Sequence, residues 1–313
     1  MKINKSKRKK FLWWISGLSL LILLGVGIYA YSVYLNVKET ASKMHEPINR
    51  TVSEKRLEPI ALKKQQPISI LLIGVDERKG DRGRSDSLIV LTVNPNKKSV
   101  EMVSIPRDTR TEIVGKGVQD KINHAYAFGG VEMAIATVEN FLDIPIDYYV
   151  KVNMESFKDI VDAVGGVTVN NSFAFTYEGV TFPKGEITLD GEKALKYSRM
   201  RYEDPRGDFG RQDRQKQIIE AVIKKGASLG SLANYDNILE AIGKNIKTNM
   251  TFEQMKEIQE NYREARHNIE KLYIKGNGTK INGKYYLIVP EEERLIMSNR
   301  LKEHLEITNV SST

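Results

Sequence analysis

Three short charged segments stand at the ends of apolar runs, and a fourth, longer one is rich in arginine. Gly74-Val75-Asp76 puts an aspartate directly after one run, and Arg82-Gly83-Arg84-Ser85-Asp86-Ser87 leads straight into the next. Ser104-Ile105-Pro106-Arg107-Asp108-Thr109 follows a third, and the fourth segment, Arg199 to Gln215, reads RMRYEDPRGDFGRQDRQ. A guanidinium is a planar fork of donors that meets two phosphate oxygens at once, so several convergent arginines suit a phosphate or pyrophosphate. Mg²⁺ takes a few carboxylates and fills its shell with water and phosphate oxygens, a need that Asp76 and Asp86 can meet, with Mn²⁺ as the alternative ion. Each segment also has a plainer reading. Asp76 can cap a turn, Arg107 and Asp108 can pair on the surface, and 199–215 can be a solvated helix entrance. What favours chemistry is that all four are expected near one edge of a single sheet, where open α/β sheets bind ligands.

The elements that would hold these residues follow from the apolar pattern. PISILLIGV (67–75), SLIVLTVN (87–94), SVEMVSI (99–105) and DYYVKVN (147–153) read as strands, and the first three are apolar enough to be buried on both faces. Helical spacing runs from Gly130 to Leu142, Met154 to Val164, Asp208 to Lys225 and Thr251 to His267, with Gly165-Gly166 stopping the second. IEKLYIKG and KYYLIV flank a Gly/Asn-rich turn, and Pro290 opens a last helix through Leu305. Val167 to Asp190 lacks helical pattern and is a candidate for rim hairpins. The expected fold class is α/β, a single mixed-sheet domain with helices on both faces.

The net charge of +8 belongs mainly to a tail, because Lys2, Lys5, Lys7, Arg8, Lys9 and Lys10 come with no acid among them. The folded part is close to neutral, so no nucleic-acid partner is expected. Phe11 to Tyr34 contains no charged residue and as a helix measures about 36 Å, enough to cross a bilayer. The preceding charges put residues 1–10 in the cytoplasm and the bulk of the chain outside. A cleaved signal peptide fits less well, since the run is long and no small-x-small site ends it. Residues 35–66 read as a stalk and 67–313 as a folded extracytoplasmic domain. The absence of cysteine excludes disulfides and thiol catalysis, and His45, His124, His267 and His304 are too scattered for an evident zinc site. No P-loop, dinucleotide fingerprint, GxSxG elbow or HExxH is present.

LLIGVDE, GRSDSL, SIPRDT, KINHAYAFGG, VDAVGGV and RxR followed by DFGRQDRQ occur in this order behind the apolar anchor. In these motifs the chain resembles the LytR-CpsA-Psr family of cell-wall glycopolymer ligases, over roughly Pro67 to Ser228. The resemblance implies that Asp76 and Asp86 bind the metal. It implies that Arg107, Arg199, Arg201, Arg211 and Gln215 hold the pyrophosphate, with Arg84 and Asp208 in matching motifs. It further implies a prenyl chain held in an apolar tunnel, for which Gly130–Leu142 and Met154–Val164 are candidate walls.

The implied partners are a polyprenyl-pyrophosphate-linked glycopolymer of teichoic acid type, peptidoglycan, and the cell membrane through the anchor. The implied reaction is attack by the C6 hydroxyl of N-acetylmuramic acid on the phosphorus carrying the polymer. Five arginines (Arg84, Arg107, Arg199, Arg201, Arg211) and one Mg²⁺ would stabilise the developing charge, and Asp76 is a candidate base. Two alternatives remain at this level. A pyrophosphate hydrolase would use the same residues with water as acceptor, and a membrane-anchored sensor would bind lipid-linked precursors without turnover.

Overall fold

The computed structural model describes residues 5–50, 52–56, 58–77, 83–226, 243 and 246–307; Arg82 lies outside them. The first element, α1 (Lys5–Met44), is one 40-residue helix whose apolar part is exposed and long enough to cross a membrane. It continues through 35–44, where the sequence pattern suggests a stalk without helix. Nothing breaks the helix before Pro47, and Glu39 pairs with Lys43 one turn on at 2.7 Å. Ala41 and Met44 are buried, and the following segment is clamped to the domain by Arg50 on Glu139 (2.6 Å) and Arg56 on Asp147 (2.7 Å).

The remaining elements follow in chain order. They are β1 (Ile68–Val75), β2 (Ser85–Asn94), β3 (Ser99–Ile105), β4 (Arg110–Ile113), β5 (Val118–Lys121), α2 (His124–Leu142), β6 (Tyr148–Asn153) and α3 (Met154–Ala163). Next come β7 (Val167–Asn171), β8 (Phe175–Tyr177), β9 (Val180–Phe182), β10 (Gly185–Leu189), α4 (Gly191–Arg199) and α5 (Asp208–Gly226). The last are β11 (Ile246–Thr248), α6 (Phe252–Asn261), β12 (Ile269–Tyr273), β13 (Asn277–Ile281), β14 (Lys284–Ile288) and α7 (Glu291–His304).

Six strands form a mixed sheet in the order β11-β6-β1-β2-β3-β12. β6 lies parallel to β1 and β12 parallel to β3, while β2 runs antiparallel to both its neighbours. The C-termini of β1, β3, β6 and β12 therefore share one edge with the N-terminus of β2. Side chains alternate between faces as the pleat requires. Leu71, Ile73, Val75, Leu88, Val90, Val103 and Ile105 pack on α2 and α7, whereas Ile68, Ile89, Leu91, Val100 and Met102 join the other face with Ile219 and Ile223 of α5 and Ile258 of α6. A satellite core of Val161, Val164, Val169, Phe175, Phe182, Leu189, Tyr197 and Ile218 ties α3, α4 and α5 to the small hairpins of 167–189.

Three local readings are corrected. α2 starts at His124, six residues before the expected start, and kinks at Gly129 and Gly130 (φ 67°). The pattern over 251–267 divides into α6 and a short 3-10 turn, Arg263–His267. The expected hairpin over 269–289 does not form, because β12 pairs with β3 in the main sheet. The Asn/Gly stretch before Lys280 instead makes β13, and only Asn282 (φ 50°) and Gly283 (φ 76°) turn the chain into β14. Gly165 and Gly166 end α3 as expected, with the Gly166 N–H on the Val161 carbonyl at 2.8 Å. α2 lines the main core and α3 the satellite core, so the two candidate tunnel walls belong to different apolar clusters.

Candidate active site

Asp76 lies just past β1, and its backbone N–H donates to the Arg84 carbonyl at 3.3 Å, closing the loop between the first two strands. Gly83 (φ +65°) makes that closure possible, since a Cβ there would stand 2.1 Å from the Asp76 carbonyl oxygen. Within the same strand pair the register slips. Gly74 faces Ser87 and Val75 faces Ser85, which leaves Asp86 as the extra residue of a β-bulge. A bulge re-aims a side chain, and this one sits at the sheet edge where Arg107 arrives from β3. Arg107 donates through Nη1 to Asp86 Oδ1 at 2.8 Å.

The N-terminus of α5 closes over this edge. Asp208, Arg211 and Gln215 recur at i, i+3 and i+7, so they share one helix face. Arg211 donates to Asp208 Oδ1 from Nε at 2.9 Å and reaches the Asp86 carbonyl from Nη1 at 3.3 Å. Arg201 Nε stands 3.6 Å from the same Asp208 oxygen, and Gln212 donates to the other at 3.0 Å. Gln215 accepts from Ser87 Oγ at 3.2 Å. Burial pushes the Asp208 carboxyl up, but the Arg211 charge and hydrogen bond, the Gln212 amide and Arg107 together hold it below its ordinary value. Burial likewise favours the neutral form of Arg107, and Asp86 and Asp208 outweigh it and raise its pKa.

The site residues expected from sequence thus divide. Asp86, Arg107, Arg201, Asp208, Arg211 and Gln215 meet in one cluster, with Asp76 at the neighbouring strand end. Arg84 and Arg199 have exposed side chains that form no hydrogen bond or ion pair among the described residues. Arg199 ends α4, and its charge is felt by Tyr177 of the β8–β9 hairpin.

Two contributors, Lys121 and Arg214, stand inside the KINHAYAFGG and DFGRQDRQ motifs without a role expected for them. Lys121, at the end of β5, donates to Asp108 Oδ1 at 2.6 Å, and Asp108 Oδ2 lies 4.0 Å from Arg107 Nε, which extends the cationic edge. Arg214 is buried beneath the 199–208 turn. Its guanidinium donates to the Tyr197 carbonyl (3.0 Å), the Met200 carbonyl and Asp204 Oδ2 (2.5 Å), and lies over the Phe175 ring. Asp204 in turn packs so closely on Gly210 that a Cβ there would stand 1.8 Å from its Oδ2. Asp204, Arg211, Gln212, Asp213, Arg214, Gln215 and Lys216 are buried while Arg199, Tyr202, Glu203, Pro205 and Arg206 are exposed, so the solvated part of this segment ends before α5.

Metal fit rests on the donor set. Among the described residues no group of three or more His, Asp or Glu side chains is placed to hold a cation, which disfavours a closed protein cage. Asp76 and Asp86 occupy neighbouring strand ends beside several phosphate-type donors, a set that fits an ion completing its shell with water and phosphate.

The fold and this edge define an α/β domain, carried on an apolar N-terminal helix, that gathers arginines and carboxylates at one edge of its sheet. The chain belongs to the LytR_cpsA_psr family, whose sequence model matches residues 31–303. It is 54% identical, over 96% of its length and 99% of the relative's, to a Bacillus cereus protein named polyisoprenyl-teichoic acid–peptidoglycan teichoic acid transferase TagU. The crystal structure of B. subtilis TagU, 52% identical, matches with a TM-score of 0.64 over 78% of this chain and 99% of that one. A structure of TagT bound to LI-WTA, 30% identical, matches with a TM-score of 0.72 over 84% and 100%.

Proposed function

We propose that this chain is a membrane-anchored transferase that moves a teichoic-acid-type polymer from a polyisoprenyl-pyrophosphate carrier to peptidoglycan. The carrying observation is the convergence of Arg107, Arg201 and Arg211 on one strand edge, in a chain so similar along its length to named teichoic acid transferases. Arg107 and Arg211 would grip the diphosphate, with Arg201 and Lys121 flanking it. Asp208 offers an ionised carboxylate and no donor, so its part is to hold Arg201, Arg211 and Gln212 in place. Arg199 and Arg84, on the rim, would meet the polymer or the outer phosphate.

In the step itself a muramic acid C6 oxygen forms a bond to the phosphorus bearing the polymer. The bond to the bridging oxygen breaks, and its electron pair leaves with polyprenyl phosphate. Donors fixed before the reaction stabilise that charge without reorganisation. Asp76 and Asp86 would hold Mg²⁺, or Mn²⁺, which when bound supplies Lewis-acid stabilisation of phosphate charge. The basic start of α1 would lie in the cytoplasm and the domain outside.

The test supplies the full chain in detergent with a short-chain polyprenyl-pyrophosphate glycan and uncrosslinked peptidoglycan strands. Glycan bound covalently to peptidoglycan is the expected product. Free glycan phosphate as the only product would make the protein a hydrolase, and carrier bound without turnover would make it a sensor.

A further inference from the structure

The proposed transfer requires a proton acceptor for the attacking hydroxyl, and the most completely built candidate is neither Asp76 nor Asp86. His124, the first residue of α2, places Nδ1 2.7 Å from Asp120 Oδ2. The other oxygen of Asp120 accepts from the Tyr286 hydroxyl at 3.2 Å. Burial disfavours the charged form of Asp120, yet His124, the Lys121 backbone N–H and Tyr286 together lower its pKa, so it stands as a carboxylate. A carboxylate facing Nδ1 requires the proton on that nitrogen. Nε2 is left as the acceptor, and among the described residues it has no hydrogen-bond partner.

The backbone places the start of α2, which carries this ring, at the edge already described. The residue before it, Asn123, donates its N–H to the Arg107 carbonyl at 3.4 Å and accepts Ser85 Oγ on its own carbonyl at 3.3 Å. Its chain is therefore pinned between the strand ends that carry Asp86 and Arg107. Among the described residues the charged group that touches the ring is Asp120; Lys121 beside it in β5 is committed to Asp108, and Lys116 lies over the Phe128 ring that meets His124 edge-on. The imidazole is partly open to solvent, with 23% of its side chain exposed, so an incoming hydroxyl can reach it.

We propose that His124, oriented by Asp120, is the base that takes the proton of the acceptor hydroxyl as that oxygen attacks phosphorus. The O–H electron pair becomes the new O–P bond, the proton goes to Nε2, and the carrier phosphate departs with the electrons of the broken P–O bond. The imidazolium then returns its proton to solvent. This rests on the transferase reading above, and it leaves the two strand-end aspartates for the cation.

The experiment compares the full-length wild type with His124→Ala, His124→Gln, Asp120→Asn and Arg107→Lys, using the same donor glycan and peptidoglycan strands. Both His124 variants should lose about 10²- to 10⁴-fold in kcat with KM nearly unchanged. Added imidazole should restore part of the His124→Ala rate and none of the Arg107→Lys loss, a response that a purely structural role would not give. Asp120→Asn should also lower kcat while keeping the ring in the fold, which guards against a His124 variant that fails to fold. A His124→Ala chain within twofold of wild type, or a loss that imidazole leaves untouched, overturns the dyad while Arg107→Lys still reports on the site. A wild-type chain that transfers nothing would overturn the transferase reading itself, and the dyad with it.

Discussion

Arg214 is the residue on which the geometry of the arginine turn depends most directly. Its side chain is 4% exposed and that of its partner Asp204 is 0% exposed, so replacing it with methionine strands one oxygen of a buried carboxylate whose other oxygen keeps the Arg206 N–H (2.8 Å) and the more distant Arg206 guanidinium (3.7 Å). It also frees the Tyr197 and Met200 carbonyls that flank the segment leading to Arg199 and Arg201. Breaking a buried pair from one side costs about 3–5 kcal/mol. At about 2–4 °C per kcal/mol for a domain of this size, Arg214→Met should lower the melting temperature by roughly 6–20 °C. Lysine at 214 keeps the charge but cannot reach Asp204 and two carbonyls together, so Arg214→Lys should fall between wild type and Arg214→Met. Pairing Arg214→Met with Asp204→Asn removes the stranded charge and should recover about 1 kcal/mol or more, read as the coupling in a double-mutant cycle. The assay is thermal unfolding of the detergent-solubilised chain followed by circular dichroism, with transfer rates measured well below the lowest midpoint. A drop under about 2 °C in Arg214→Met, with full transfer, would refute the assignment of Arg214 as the brace of this turn.

Lysine in place of Arg107, Arg201 or Arg211 should each lower transfer by about 10²- to 10³-fold, whereas Arg263→Lys, at an exposed position, should leave the rate unchanged. Equal activity in all four variants would count against a shared anion site. Asp76→Ala and Asp86→Ala should abolish metal-stimulated turnover, and persistence of activity in chelator would remove the cation from the scheme. A chain beginning at residue 35 should be soluble and folded because it keeps the docking residues Ala41 and Met44; aggregation in the absence of detergent would argue for a further membrane-seeking surface. Asp208 has a folded pKa below its unfolded value, so its contribution to stability is complete above about pH 4 and is lost as pH falls through the folded value. Asp208→Asn should therefore flatten the acid limb of the stability profile, and an unchanged limb would contradict the ion-pair account.

The main strands and their terminal acids were legible because near-continuous apolar runs mark them and charge begins where those runs stop. Local signals failed where tertiary pairing decides the outcome. Ile269–Tyr273 looks like half a hairpin, but its parallel partner lies at Val100–Ser104, far away in sequence. The start of α2 was invisible because Gly129 and Gly130 interrupt the apolar spacing, and the turn before them is fixed by Asn123 between two distant strand ends. Two arginines separated by one residue read as a pair. Met200 between them is fully buried with its carbonyl on Arg214, so Arg199 stays on the exposed end of α4 while Arg201 turns towards Asp208. Motif spacing locates such residues along the chain, but the direction each faces is decided by what the residue between them packs against.

The acids among the arginines have different consequences. Asp208 and Arg211 are nearly enclosed, with 18% and 8% of their side chains exposed, and share contacts with Arg201 and Gln212. A ligand phosphate cannot displace Asp208 without stranding several donors at once, so this pair behaves as part of the scaffold. Arg107 and Asp86 are more open, at 26% and 27%, and joined by a single 2.8 Å contact. Exchange of that contact is the inexpensive one, because both groups keep access to solvent while they part. In the proposed reaction an arriving diphosphate would take Arg107 from Asp86, and that carboxylate would then be free to help Asp76 hold a cation. Under that proposal substrate binding and cation binding would be coupled through Arg107, while the Asp208–Arg211 contacts hold the α5 donors in place.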